Sequence, residues 1–462
     1  MQIKSEIRSV GAGVMTLLLA FPVNTLARDR SRAVQQAIDG GRAKNVILFL
    51  GDGMGDSEIT IARNYHVGAA GRLAMDSLPL TGAYTTYAVE ESNPSLPNYV
   101  TDSAASGTGW STGHKTSNGR ISTLPGTNYI SPIPTILELA QRAGYRTGDV
   151  STAELTDATP AVLASHINAR GCQGPADMSA CAIYKKANGG PGSIAEQLVD
   201  HKVDVLLGGG LQRFEQKTEA GPTVVDRAKS LGYKFVTDAA GLDSVNKGQR
   251  VLGLFNSGNM SLEWTGELAQ PGNSGPQKCL ENQRPSNEPS LADMTRKALE
   301  LLDRSQGGGK GPGNGFHDFF QDGKGKPGFF LQVEGASIDK QDHAENPCGQ
   351  IGETIAFDQA IAVGLEYAKT HPDTLIVVTA DHAHTSQIVD PGTNHPGSVS
   401  ILTTADGANM YVSYATEPHG VSQDHTGTQL RIAAQGPQAA NVVGVTDQTE
   451  LFHTMARALG LE

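Results

Sequence analysis

Residues 45–56 read NVILFLGDGMGD. An apolar run stops abruptly at a cluster of glycines and aspartates. A short run of this kind, bounded by turn residues, is the pattern of a strand buried on both faces, as in parallel sheets covered by helices. Similar runs follow at VDVLLGG (203–209), GFFLQV (328–333) and TLIVVTA (374–380), with LRIAAQG (430–436) as a weaker one. Helical patterns lie between them at IPTILELAQRAG (133–144), LADMTRKALELLDR (291–304) and IGETIAFDQAIAVGLEYAKT (351–370). Strands alternating with helices predict an α/β sandwich built on a mostly parallel sheet. There is no internal repeat, and no clear linker divides the chain.

Three of these runs end in polar clusters. The first ends at Asp52 and Asp56, the third at Glu334, Asp339, Lys340, Asp342 and His343, and the fourth at Asp381, His382 and His384. In open α/β sheets, ligands bind beyond the carboxyl ends of the strands. Each cluster alone has an ordinary reading. Gly and Asp make turns, Asp339 and His343 are four apart and share a face of a helical turn, and His425 in QDHTGTQ is a lone histidine. Glu334, directly after an apolar run, needs a partner or a cation if buried. Together the clusters point to one shared metal site, with carboxylates and imidazoles that suit Zn2+ and Mg2+.

Residues 98–116, NYVTDSAASGTGWSTGHKT, are rich in small and hydroxyl side chains. Asp102 and Ser103 stand before two alanines. Both residue types cap helices, and a serine so little encumbered is also a candidate nucleophile. A serine that opens a helix can be both, because exposed N–H groups and the helix dipole favour a phosphate there.

The chain has 462 residues, 38% hydrophobic and 18% charged, which is a globular composition. With 36 Lys+Arg against 48 Asp+Glu, its net charge of −12 argues against a general nucleic-acid-binding role. Lys4 and Arg8 precede VGAGVMTLLLAFPV, followed by NTLA with small residues at Thr25 and Ala27. This is the pattern of a cleaved signal peptide over 1–27, with an uncleaved anchor as the alternative. Cys172, Cys181, Cys279 and Cys348 agree with export. Four cysteines allow three pairings; proximity favours near with near and distant with distant, and no Cys-x-x-Cys spacing supports metal ligation. QGGGKGPGNG (306–315) and DGKGKPG (322–328) read as a flexible surface insertion.

GDGMGDSEIT (51–60), TDSAAS (101–106), STAELTDATPA (151–161), QVEGASIDKQDH (332–343), TADHAH (379–384) and HTGTQLRIAA (425–434) together resemble the bacterial alkaline phosphatases. NPCGQIGET (346–354) and TDQTELF (446–452) are similar to the enterobacterial periplasmic type, from which the 306–328 stretch departs. The resemblance runs from about Ala43 to the C-terminus, leaving 28–42 as an N-terminal arm. It implies a three-layer α/β/α sandwich and hydrolysis of phosphate monoesters through a phosphoserine at Ser103, next to Asp102. It also implies two zinc ions, one on Asp339, His343 and His425 and the other on Asp52, Asp381 and His382. A magnesium ion would be shared by Asp52, Thr159 and Glu334. Arg170 would clamp the phosphate, Lys340 would reach it through water, Asp157 would stand just outside the magnesium ligands, and His384 just outside those of the first zinc. The four cysteines fall on the family's two disulfides, Cys172–Cys181 and Cys279–Cys348. A homodimer in the periplasm or secreted, free of the membrane after signal cleavage, is the remaining implication. Rival readings are a phosphodiesterase or phosphonate hydrolase of the same superfamily, disfavoured by Ser103 with Arg170, and a metal- or phosphate-binding protein without turnover, disfavoured by an intact nucleophile.

Overall fold

Asn45–Gly51 forms a strand with every residue buried, at the centre of a ten-stranded sheet. In this computed structural model, residues 30–126, 131–304, 327–392 and 395–461 are described. The expected signal peptide at 1–27 and nearly all of the 306–328 insertion lie outside the described residues. Of the expected arm, Ser31–Ala37 is a short helix with no buried residue.

The strands of the large sheet, in chain order, are β1 (Asn45–Gly51), β2 (Leu80–Thr85), β3 (Arg146–Glu154), β4 (Val205–Gly209), β5 (Tyr233–Val236), β6 (Arg250–Leu254), β7 (Phe329–Gly335), β8 (Thr374–Ala380), β9 (Leu430–Gln435) and β10 (Gly444–Asp447). Their spatial order is β10-β2-β9-β8-β1-β7-β3-β4-β6-β5. β1 is parallel to both its neighbours, β7 and β8, and the parallel pairing continues through β3, β4, β6 and β5. β9, expected as one more parallel strand, runs antiparallel to β8 and β2. Its apolar pattern specified burial, and burial does not specify direction.

β3 was not expected from sequence, yet its seven middle residues are buried in the heart of the sheet. Thr147, Gly148, Asp149, Ser151 and Thr152 break its apolar run. Its neighbour β7 supplies the missing hydrophobicity with Phe329, Phe330 and Leu331, all inaccessible to solvent.

Helices Asp56–Val67, Leu291–Leu302 and Pro347–Thr370 pack with one another, and Ser103–Thr112, Ala158–Ala161, Ile136–Arg142 and Glu450–Leu459 form a second such group. Both groups pack on the sheet, giving the α/β/α sandwich. The long helix begins at Pro347, ahead of its apolar pattern, because proline suits a first turn and Asn346 caps it by accepting from the Gly349 N–H. A four-stranded sheet is built separately from Ser274–Gln277, Ser398–Thr403, Asn409–Tyr414 and Gln387–Val389. Cys172–Cys181 and Cys279–Cys348 are disulfide-bonded. No helix among the described residues is long and apolar enough to cross a membrane.

Candidate active site

Register brings the ligand residues together. Gly51 at the end of β1 pairs with Gly335 of β7 on one side and Ala380 of β8 on the other. Three parallel strands therefore end level, and the residues that follow, Asp52 and Asp381, emerge side by side. Glu334, expected just past its strand, lies within β7 and pairs with Ser151 of β3. The turn after β1 needs Gly53: its φ is +67°, and an added Cβ would sit 3.0 Å from the Asp339 backbone. Its N–H donates to Asp381 Oδ1 at 2.9 Å.

Two groups of metal-ligand side chains result. In the first, Asp339 Oδ1 lies 3.3 Å from Nε2 of His343, His425 and His384 alike. The three imidazoles are not equivalent. His343 Nδ1 faces the Gln423 carbonyl, and His425 Nδ1 faces the Thr101 carbonyl at 3.1 Å. A carbonyl only accepts, so Nδ1 carries the proton in both and Nε2 is left with a lone pair. His384 Nδ1 instead accepts the Thr385 N–H at 2.9 Å, which places the proton of the neutral ring on Nε2. His384 thus turns an N–H toward Asp339 without completing a hydrogen bond, while His343 and His425 offer free lone pairs. Asp339 Oδ1 and the two free Nε2 atoms form a triangle with edges of 3.3, 3.3 and 3.2 Å. A tetrahedral ion with bonds of about 2.0–2.1 Å spaces its ligand atoms by about 3.3–3.4 Å.

In the second group, His382 Nε2 lies 3.4 Å from Asp52 Oδ1 and 3.2 Å from Asp381 Oδ2. Its Nδ1 faces the Ala383 carbonyl at 3.3 Å, again leaving Nε2 as the ligand atom. Asp52 Oδ1, Asp381 Oδ2 and Asp339 Oδ1 are buried without a hydrogen-bond partner, as is the hydroxyl of Thr159. Burial, with the Asp339 charge second, pushes Asp52 up to about 7. Burial and the Asp52 charge push Glu334 up to about 8 and Asp381 well above the carboxylate range. Burial alone would raise Asp339 too, but the surrounding imidazoles hold it well below. So many buried, unpaired carboxylates are costly unless cations neutralise them. The mixed nitrogen and oxygen donors of these two groups fit metal ions, and the Glu334 carboxylate accepts from Ser151 Oγ.

Ser103 opens the Ser103–Thr112 helix, with Asp102 as its N-cap. Asp102 Oδ1 accepts the Ala105 N–H at 2.9 Å, and Oδ2 accepts the Gly119 N–H at 2.9 Å. Ser103 Oγ lies 3.3 Å from His382 Nε2, beside the second group. The whole helix is buried, which explains its small residues: a Cβ on Gly107 would meet Val162 at 2.8 Å. Ser106 Oγ donates to the Asp381 carbonyl at 2.6 Å and locks the helix to the end of β8.

Two cations face the serine across the cleft. Arg170 donates to Asp102 at 3.2 Å and to Asp157 at 2.9 Å, and Lys340 donates to Asp157 at 2.8 Å. Burial would lower both cations, but Asp157 outweighs it and raises them, so they are charged throughout the physiological range. A cleft of about 670 Å3 is lined by Ser103, Arg170, Asp339, Lys340, His343 and His425, among others. Ser151, behind Glu334, and Asn118, whose Oδ1 accepts the Asp102 N–H at 3.0 Å, were not expected here. Neither carries a local sequence signal.

The fold is that of α/β enzymes that bind at strand ends, and its donor groups could hold metal ions. It matches the family model described as alkaline phosphatase over residues 43–423 and 408–461. It is 50% identical over 450 residues to the alkaline phosphatase of Escherichia coli (strain K12), covering 95% of this chain and 90% of that protein. It is 47% identical over 458 residues to the streptomycin-6-phosphate phosphatase of Streptomyces griseus, covering 98% of this chain and 96% of that protein. Its fold is similar to that of the alkaline phosphatase from the Antarctic bacterium TAB5, with a TM-score of 0.67, 22% identity, and coverage of 91% of this chain and 99% of that one. The chain belongs to the alkaline phosphatase family. It is a metal-dependent phosphatase that hydrolyses phosphate monoesters.

Proposed function

We propose that hydrolysis proceeds by two in-line displacements through a phosphoserine at Ser103, with two zinc ions and one magnesium ion at the strand ends. The observation that carries this reading is the position of Ser103 Oγ, at a helix N-terminus and 3.3 Å from His382 Nε2. Asp339, His343 and His425 would hold one zinc, Asp52, Asp381 and His382 the other, and Asp52, Thr159 and Glu334 the magnesium. Bound there, the ions neutralise the attacking and leaving oxygens and favour the ionised serine. The triangular spacing of the first group supports zinc, and oxygen ligands such as Asp52, Thr159 and Glu334 suit magnesium.

The chain's own residues position and neutralise. Ser103 Oγ forms the bond to phosphorus as the bond to the alcohol oxygen breaks; the serine proton passes to solvent and the alcohol takes one up. Water then displaces Ser103 and leaves inorganic phosphate. Arg170 offers its planar fork to two phosphate oxygens, which lysine cannot do. Asp102 and Asp157 hold that fork in place, and His384 stands beside Asp339. Positioning and charge neutralisation are most of what phosphoryl transfer requires. Export to the periplasm or medium is supported by two disulfides and the leader-like N-terminal pattern. A homodimer is part of the same proposal.

Trapping with labelled phosphate at acidic pH tests the intermediate. The label should map to the peptide carrying Ser103, and Ser103→Ala should lose it along with most turnover. Stable labelling of that peptide in Ser103→Ala would sink the assignment.

A further inference from the structure

Away from the phosphatase site, another group of metal-ligand side chains converges among the described residues: Glu138, His166 and His201. They arrive from the helix Ile136–Arg142, the segment after the helix Ala158–Ala161, and the end of the helix Ile194–Asp200. Glu138 and His166 are buried, and the His201 side chain is 27% exposed. His166 Nε2 lies 2.9 Å from Glu138 Oε1, and His201 Nδ1 lies 3.4 Å from the same oxygen.

Other bonds pin the group. Glu138 Oε2 accepts the Thr135 N–H at 3.1 Å, completing a capping box and leaving Oε1 to the two imidazoles. Arg142 approaches Oε2 at 3.9 Å from a largely exposed position. The backbone N–H of His166 donates to Gln197 Oε1 at 2.8 Å. Its ring Nδ1 lies 2.9 Å from the Ser122 carbonyl, so Nδ1 carries the proton. The Nε2 lone pair of the neutral ring then faces the lone pairs of Glu138 Oε1. A proton or a metal ion must stand between them. With a proton on His166 Nε2 and another on His201 Nδ1, both rings donate to Oε1; one divalent ion among the three atoms replaces both protons. Tetrahedral bonds of about 2.0–2.1 Å space ligand atoms by about 3.3–3.4 Å; the 3.4 Å contact meets that spacing, and the 2.9 Å contact would open by about 0.4 Å on binding.

We propose that Glu138, His166 and His201 form a metal site separate from the catalytic one, taking zinc or a similar borderline divalent ion, with His201 as its solvent-facing member. The ion would tie the segment that continues from His166 to Arg170 onto two helices without touching substrate.

Zinc content after equilibrium dialysis of the full-length enzyme tests this. His201→Ala and Glu138→Gln should each bind one zinc per chain fewer than the unmodified protein, and His201→Ala should keep its phosphatase activity. Added zinc should raise the melting temperature of the unmodified enzyme further than that of His201→Ala. The comparison stands whatever the catalytic site holds, because that site is the same in both proteins. Equal zinc content in the unmodified enzyme and His201→Ala would overturn the proposal. So would an NMR spectrum showing His166 doubly protonated at neutral pH and unchanged by zinc, the signature of a buried ion pair instead.

Discussion

Asp157 holds two cations, Lys340 at 2.8 Å and Arg170 at 2.9 Å. Lys340 lines the cleft beside Asp339, where its charge would attract substrate, transition state and product alike. Attraction equal in all states lowers KM without raising kcat, and it slows product departure. Lys340→Ala should therefore raise the inhibition constant for phosphate severalfold, while kcat at alkaline pH holds or rises. An unchanged inhibition constant would leave Lys340 without a role. Asp157→Ala should alter the same step and also free Arg170, so the double variant should fall short of the sum of the singles. Asp102→Ala removes a helix cap, at a cost of about 1 kcal/mol, and one of the two anchors of Arg170. Urea melts should show the first effect and a raised KM the second.

The disulfides act on elements of different reach. Cys279–Cys348 joins residues 69 apart and ties the start of the Pro347–Thr370 helix to a distant segment. Cys172–Cys181 joins residues 9 apart, just beyond Arg170. In the chain-entropy model, loops of these lengths contribute about 4.4 and about 2.7 kcal/mol. Replacing the long-range pair by serine should cost more stability in chemical denaturation. Replacing the short pair should cost less, yet reduce kcat/KM more through the Arg170 segment. Four free thiols in the exported protein would contradict the bonding pattern and the export proposal together.

Across the whole molecule, the buried carboxylates couple metal, pH and stability. Without metal, Asp52 and Glu334 titrate near 7 and 8 in the folded chain, but near 4 when unfolded. Between about pH 4 and pH 8 the folded metal-free protein thus holds more protons than the unfolded one. Its stability falls as pH rises through that window, by up to about 1.4 kcal/mol per pH unit per group. Cations bound there would hold these two carboxylates ionised and weaken the trend. Thermal melts of chelated protein should decline more steeply from pH 5 to pH 8 than those of metal-loaded protein. Chelation should also abolish activity, zinc should restore most of it, and magnesium should add the rest. Full activity in protein shown metal-free by elemental analysis would rule out the proposed mechanism.

Sequence alone determined β1, β4, β7 and β8, because an unbroken apolar run between turn residues is the pattern of a strand buried on both faces. It also determined the set of Asp, Glu and His residues beyond their ends, because metal chemistry depends on side-chain type. β3 was illegible because its polar residues are buried among the aromatics of β7, and no local pattern records a neighbour. The direction of β9 was illegible because hydrophobicity does not encode polarity of the chain. From residue type alone His384 and His343 are equivalent. Tertiary structure separates them: a backbone N–H meets one Nδ1 and a carbonyl the other, so one ring turns an N–H toward Asp339 where the other offers a lone pair. The same holds for Glu138, His166 and His201, which have no common motif. Only packing brings them to one oxygen, because a hydrogen bond or a metal bond acts over about 3 Å of space, whatever the distance along the chain.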